Sequence, residues 1–314
     1  MKILVTGGAG FIGSHVVDKL LAKGNEVAVV DNLYTGKLDN INPRAKFYKM
    51  DILSGAVSDV FDDFRPQIVI HSAAQIDIAQ SLKDPFFDAA VNINGTIRIL
   101  EACRQSGVQK IIYSSSAAVY GDPKYLPVDE QHPAHPLSYY GISKYAPEHY
   151  IRVCGKRYGI LYTILRYANV YGVRQDPKGE GGVISIFLNK MMNGEQPTIF
   201  GDGAQTRDFV YIEDVARANI AAVTSGNNKT INISTNRPTS VATLFELMKR
   251  RMKSGLVPVY GDEREGDIKH SCLDNKKAKK YLNWEPRYEL SEGLAEIIDY
   301  YYTDFCVRTS EIAI

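Results

Sequence analysis

Cysteine and tryptophan are scarce in this chain, and neither sign of charge prevails: 314 residues hold four Cys, one Trp, and 37 Lys plus Arg against 36 Asp plus Glu. Cys103, Cys154, Cys272 and Cys306 stand far apart, with no C-x-x-C spacing and no paired His/Cys pattern. That distribution argues against a disulfide framework and against a metal site, and it fits a reducing compartment. A net charge of +1 provides no field to gather nucleic acid or an anionic membrane surface, so an anionic ligand has to be held by local groups. No apolar run reaches the roughly 18 residues that a membrane-crossing helix needs. Ile3-Leu4-Val5 is cut short by Gly7 before the apolar core of a targeting segment is complete, which reads as a buried strand and a cytoplasmic protein. Repeats, low-complexity blocks and coiled-coil heptads are absent as well.

What the chain does have is a rhythm of short β-branched runs and helical stretches. Ile3 to Thr6 leads into glycines, Phe11 to Leu21 carries apolar residues at helical spacing, and Glu26 to Asp31 starts a second buried strand. This is a βαβ unit with glycines at its first strand-to-helix turn. Phe47-Tyr48, Ile68 to Ile70, Ile111 to Tyr113 and Tyr162 to Tyr167 supply later strands, with helices expected over Asn92 to Cys103 and Tyr139 to Tyr158. Pro147 is expected to bend the second of these or mark its end. The alternation predicts an α/β fold, a Rossmann-like doubly wound parallel sheet covered by helices on both faces. Beyond Tyr171-Gly172 the rhythm loosens through a Gly- and charge-rich stretch at Gly179 to Gly182, a loop by composition. A smaller, discontinuous C-terminal substrate domain follows. The expected division is 1–168 plus 204–233 for the cofactor domain, 169–203 plus 234–301 for the substrate domain, and a tail over 302–314.

Gly7-Gly8-Ala9-Gly10-Phe11-Ile12-Gly13 contains a G-x-x-G-x-x-G and a G-x-G-x-x-G, whose missing side chains let a pyrophosphate approach a helix N-terminus. Asp31, ending the next strand, offers a carboxylate to adenosine ribose hydroxyls and repels a 2'-phosphate, which favours NAD over NADP. Asp51 follows the third strand and either contacts adenine or caps Leu53-Ser54. Ala73, Ala74 and Gln75, after the fourth strand, permit close packing on a cofactor or simply build a turn.

Tyr140-Gly141-Ile142-Ser143-Lys144 sets a phenol and an ammonium four residues apart on one helical face. A nearby cation favours phenolate, so Tyr140 can act as a base; an ordinary surface pair has the same spacing. Ile111 to Gly121 places Ser114 and Ser116 at the carboxyl end of a strand, where parallel sheets bind ligands, and Ser116 can donate to a substrate oxygen.

With these motifs the chain resembles the extended short-chain dehydrogenase/reductase family, and within it the nucleotide-sugar 4-epimerases. The resemblance runs from about Met1 to Tyr301 and rests on Thr6 to Gly13, Ser114 to Gly121, Tyr140 to Lys144 and Leu165 to Gly172. It implies that Ser116 and Tyr140 handle a sugar 4-hydroxyl while Lys144 holds the nicotinamide ribose and tunes the phenol. It implies NAD contacts from the glycine turn through Ile12, and from Asp31, Asn32, Asp51, Ile52, Asn92, Ser114 and Tyr167. Asn169, Arg207 and Arg264 would engage the sugar diphosphate, Asp267 a uridine ribose hydroxyl, and Ser271 the wall beside the hexose. Arginine suits diphosphate because its rigid fork makes paired charge-assisted bonds.

The implied activity is interconversion of UDP-glucose and UDP-galactose through a 4-ketosugar, with UDP-GlcNAc and UDP-GalNAc as a further pair because Ser271 is small, and a homodimer as the assembly. A 4,6-dehydratase of this family has an acidic pair directly after the catalytic hydroxyl; Ala117 and Ala118 stand there, and alanine transfers no proton. A uronate 4-epimerase or decarboxylase shares much of the framework. A protein that merely senses NAD is the alternative outside enzymology, and it has no chemical need to keep Ser116, Tyr140 and Lys144 together.

Overall fold

The computed structural model describes residues 1–176, 182–263 and 268–312, the side chains of 304–312 excepted. Strands in chain order are β1 (Lys2–Thr6), β2 (Glu26–Asp31), β3 (Lys46–Lys49), β4 (Ile68–His71), β5 (Lys110–Ser116), β6 (Leu161–Tyr167), β7 (Asn169–Tyr171), β8 (Thr198–Phe200), β9 (Thr206–Tyr211), β10 (Lys229–Ile233), β11 (Pro238–Ser240) and β12 (Val259–Gly261). Helices are α1 (Phe11–Ala22), α2 (Val57–Phe64), α3 (Ile78–Lys83), α4 (Pro85–Ala89), α5 (Gly95–Gln105), α6 (Tyr139–Tyr158), α7 (Val183–Met192), α8 (Ile212–Thr224), α9 (Val241–Met252), α10 (Lys276–Leu282) and α11 (Leu290–Ile312).

Seven strands form one parallel sheet in the order β10-β6-β5-β4-β1-β2-β3. Because side chains alternate along a strand, each strand feeds two cores. Ile3, Val5, Val27, Val29, Ile68, Ile70 and Ile112 pack with α1 and α8 residues such as Val16, Leu20 and Ala218. Leu4, Ala28, Val30, Val69, Ile111 and Tyr113 pack on the other side with Phe61, Ile99 and Ile151. Burial of both faces explains why the strands read as unbroken apolar runs. Each buried Val, Leu or Ile contributes about 1.5–3 kcal/mol.

The strand order reverses between β1 and β4. At such a switch point the chain leaves the carboxyl ends of neighbouring strands toward opposite faces of the sheet, and open α/β sheets bind ligands in the crevice there. A smaller unit built around the sheet β11-β9-β7 and the pair β12-β8 adjoins that end. Thr206–Tyr211, grouped from the sequence with the cofactor domain, therefore lies in the second sheet, while α8 and β10 return to the first. The C-terminal segment also differs from expectation: the helix begun at Leu290 continues to Ile312 instead of giving way to a tail at 302.

Pro147 neither ends nor divides α6, which is one helix from the Ser138 cap, whose side chain accepts from Gly141 N, to Gly159 in the left-handed conformation. Ahead of α5 the expected helix start at Asn92 is a π-turn, Ala90–Asn94, continuous with α4. Cys103, Cys154 and Cys272 are buried thiols. Among the described residues no helix is long and apolar enough to cross a membrane.

Candidate active site

Two crevices meet above the β1/β4 switch point. The first runs along the glycine turn and is lined by Gly7, Gly10, Phe11, Ile12, Gly13, Asp31, Asn32, Asp51, Ile52, Ala73, Ala74, Gln75, Ser114, Tyr140, Lys144 and Tyr167. Gly7 sits at φ +71°, and a Cβ there would come within 2.6 Å of Ala73 N, so only glycine lets the β1 and β4 loops touch. Gly10 caps α1 without a side-chain hydrogen bond, leaving the first-turn amides of the helix to an anion in the crevice.

Asp31 is buried, and each carboxylate oxygen takes one backbone bond: Oδ2 from Ala9 N at 3.0 Å, Oδ1 from Leu33 N at 2.8 Å. Each oxygen retains acceptor capacity for a ribose hydroxyl. Asp51 makes the cap its sequence position allowed, Oδ1 accepting from Leu53 N at 2.8 Å, while Oδ2 accepts from Asn32 at 2.9 Å and the residue also lines the crevice. Among the described residues, Lys144 is the only basic one in the lining of this crevice. The glycine cradle, the acceptor at Asp31 and the apolar slot of Met50, Ile52 and Val91 fit NAD. Tyr34, Thr35, Met50 and Phe87 also line it and carried no motif; their signal was only proximity to Asp31 and Asp51 along the chain.

Asn92 is the exception among the expected cofactor contacts. Its side chain clamps the Gln75 backbone in both directions, accepting from N at 2.8 Å and donating to O at 2.9 Å, and it donates to Ser143 Oγ at 2.8 Å. It is buried beneath the crevice wall and shapes that wall without lining it.

The second crevice lies between the sheet and the smaller unit. Ser116, Ala117, Ala118, Tyr140, Asn169, Arg207 and Ser271 line it, together with apolar residues the sequence did not single out, such as Ile78, Leu82 and Leu137. Ser116 accepts from Ala118 N at 3.2 Å and so caps the turn that holds its hydroxyl at the mouth of β5. Arg207 Nη1 donates to the carbonyl of Thr206, and Ser271 N donates to Thr206 O at 3.1 Å, which holds both on one rim. Arg264 and Asp267, and the loop residues Gly179 to Gly181, lie outside the described residues.

Phe11, Ile12, Ile76, Tyr140 and Tyr167 line both crevices. Only the two tyrosines among them ionise, and their surroundings separate their roles. Tyr167 is 5% exposed, its hydroxyl bonded to Ser114 and Asn219, and burial pushes it up to about 12, so it stays protonated. Tyr140 is half-buried at the first turn of α6, held by Tyr140 N to Ser81 Oγ at 3.2 Å. One turn on, Lys144 is 4% exposed with its ammonium 4.7 Å from the Tyr113 ring centroid; burial brings its pKa down to about 8 against the pull of Asp88 and Glu148. His71 behind it is held down to about 3 by burial and by Lys144, and stays neutral between Thr6 and Thr96. The arrangement is a phenol between a dinucleotide crevice and a substrate crevice, with a lysine beside it whose proton is easily lost.

The sequence profile of the NAD dependent epimerase/dehydratase family matches residues 3–234. The chain belongs to that family. Within this epimerase/dehydratase family the likeness covers nearly the whole chain. A UDP-glucose 4-epimerase of Mycolicibacterium smegmatis is 38% identical over 308 residues, 96% of this chain and 98% of its own. The solved UDP-glucose 4-epimerase of Thermotoga maritima, with UDP-glucose, is 47% identical, with a TM-score of 0.96 over 97% of this chain and 100% of that one. A UDP-N-acetylglucosamine 4-epimerase of Methanobrevibacter ruminantium, solved with UDP-N-acetylmuramic acid, is 35% identical, with a TM-score of 0.92 over 96% and 98%. The resemblance stated from the motifs therefore stands: this is a nucleotide-sugar epimerase of the extended short-chain dehydrogenase/reductase type that uses NAD.

Proposed function

We propose that the chain interconverts UDP-glucose and UDP-galactose through a 4-ketosugar, and also accepts UDP-GlcNAc and UDP-GalNAc. The observation that carries this is the position of Tyr140, a half-buried phenol that lines both crevices. NAD, when bound along the glycine turn, supplies the acceptor and donor of hydride. Tyr140 takes the C4 hydroxyl proton and later returns it, and Ser116 holds the C4 oxygen. Lys144 holds the nicotinamide ribose and favours the phenolate. Arg207 anchors the diphosphate, so the ring of the ketosugar is free to turn between removal and return of hydride.

Ala117 and Ala118 line the sugar crevice and supply no acid/base group, which favours epimerisation over dehydration. Small Ser271 on the rim favours acceptance of the N-acetyl sugars. The same reading includes a cytoplasmic homodimer packed through α5 and α6, where Tyr150 and Val153 are exposed at 49% and 62%. The test is NMR of UDP-glucose and UDP-galactose, each incubated separately with the purified protein. Exchange of C4 stereochemistry is expected, and its absence from both directions overturns the assignment; loss of carbon dioxide from UDP-glucuronate would instead support the decarboxylase alternative.

A further inference from the structure

Behind the reacting groups lies a carboxylate that the chemistry above does not use. Glu148, one turn beyond Lys144 on α6, is fully buried and gathers four donors. Ser115 Oγ reaches Oε1 at 2.8 Å. Arg166 Nε reaches Oε1 at 2.8 Å while its Nη2 reaches Oε2 at 2.6 Å, and Arg152 Nη2 reaches Oε2 at 2.7 Å. Burial alone pushes this carboxyl upward, but the Arg166 fork, Arg152 and Ser115 together hold it below its ordinary range, so it is ionised. Arg166 is itself 4% exposed and lies with its guanidinium 4.7 Å from the ring centroid of Tyr120, a residue of the substrate crevice.

A buried ion pair of this kind gives little stability over a well-packed apolar pair, so stability is a poor reason for it. Its location is more informative. Ser115 and Arg166 face each other across β5 and β6, and the next pair in the same register is Ser116 and Tyr167, which line the crevices. Glu148 thus ties the strand carrying Ser116, the strand carrying Tyr167 and the helix carrying Tyr140 and Lys144 to one point.

We propose that Glu148, through Arg166 and Ser115, is a positioning residue that fixes α6 against the ends of β5 and β6, so that Tyr140, Lys144 and Ser116 converge on one sugar carbon. The proposal rests on the epimerase reading for its kinetic consequence, but not for its electrostatic one. A fixed negative charge one helical turn from Lys144 favours its protonated form, alongside Asp88 from α4; Tyr113 from β5, neutral His71 from β4 and Tyr140 from α6 are the other titratable groups around it.

The test compares Glu148→Gln, Arg166→Lys and Arg152→Gln in the full chain carrying NAD. Arg152 grips the same carboxylate but also donates to Thr230 Oγ1 of β10 at 3.0 Å, touches neither β5 nor β6 in these bonds and lines neither crevice, so Arg152→Gln serves as a control expected to keep kcat within about twofold. Glu148→Gln is expected to lower kcat about 10- to 100-fold with little change in KM, the size of effect that misplacement by about an ångström produces. It is also expected to move the alkaline limb of the kcat profile to lower pH by about half to one unit. Arg166→Lys keeps the charge but loses the fork, and is expected to lower kcat with a smaller shift of the limb. It carries the test if Glu148→Gln does not fold. NADH affinity followed by fluorescence against pH reads the same shift without any substrate, so a wild-type protein that turns over no nucleotide sugar defeats the functional reading and leaves this measurement standing. A folded Glu148→Gln protein with unchanged kcat and unchanged pH dependence, or an equal loss in Arg152→Gln, overturns the proposal.

Discussion

Gly13 offers the sharpest perturbation of the cofactor crevice. A Cβ placed on it would lie 2.1 Å from the carbonyl oxygen of Gly7, with Gly7 C at 2.8 Å and Gly8 Cα at 2.9 Å, all backbone atoms that cannot rotate away. Gly7 has no room to retreat. Its own N donates to Val30 O at 2.8 Å, its carbonyl accepts from Gly10 N at 3.1 Å, and Ala73 N blocks its other side. In Gly13→Ala the start of α1 must therefore move outward by more than an ångström. Such overpacking costs about 1–3 kcal/mol of stability. It also swings the first-turn amides away from the pyrophosphate. Loss of even one charge-assisted bond, about 1.5–3 kcal/mol, weakens NAD binding about 10- to 100-fold. Titration of NADH fluorescence measures this directly. Gly24→Ala is the matched control: Gly24 lies at φ +77° with nothing within 4 Å, so alanine there brings about 1 kcal/mol of backbone strain and leaves NADH affinity unchanged. Wild-type NADH affinity in Gly13→Ala would refute the close-packed cradle.

Tyr140→Phe removes the proton acceptor and little volume; turnover is expected to fall about 100- to 10,000-fold with NADH binding kept, and full turnover would remove Tyr140 from the chemistry. Ser271→Tyr narrows the sugar crevice and is expected to reduce turnover of UDP-GlcNAc at least about tenfold more than that of UDP-glucose, whereas equal losses would discard Ser271 as a size filter. Burial lowers the pKa of both Lys144 and Lys110 to about 8 from 10.5. Between those values each of these two lysines binds a proton in the unfolded chain that it does not bind in the folded one, so its contribution to stability rises with pH across that window. The buried thiols Cys103, Cys154 and Cys272, pushed up by burial, act in the opposite sense from about pH 8.5, so the lysine's part is read as a difference: the urea midpoint of the wild type is expected to rise relative to that of Lys144→Met between about pH 8 and about pH 9.5, and an identical slope in both proteins would contradict the lysine's burial.

Local pattern alone specified the parallel sheet, the dinucleotide turn and the Tyr140/Lys144 pair. Each is a short-range property: apolar runs in strands buried on both faces, glycines where backbone must approach backbone, and helical spacing that puts residues i and i+4 on one face. What folding alone decided depends on contacts between distant segments. Sequence placed Asn92 in the cofactor site, but a π-turn between α4 and α5 rotates it beneath the wall, where Gln75 and Ser143 use up its amide. The division drawn from the sequence groups Thr206–Tyr211 with the cofactor domain, yet it pairs with β7 and β11, because a strand's pattern shows that it is buried and not which edge it joins. Tyr140 and Tyr167 are both phenols within family motifs. Only tertiary packing tells them apart: Ser114 and Asn219 close around the hydroxyl of Tyr167, while Tyr140 stays half-buried where two crevices open.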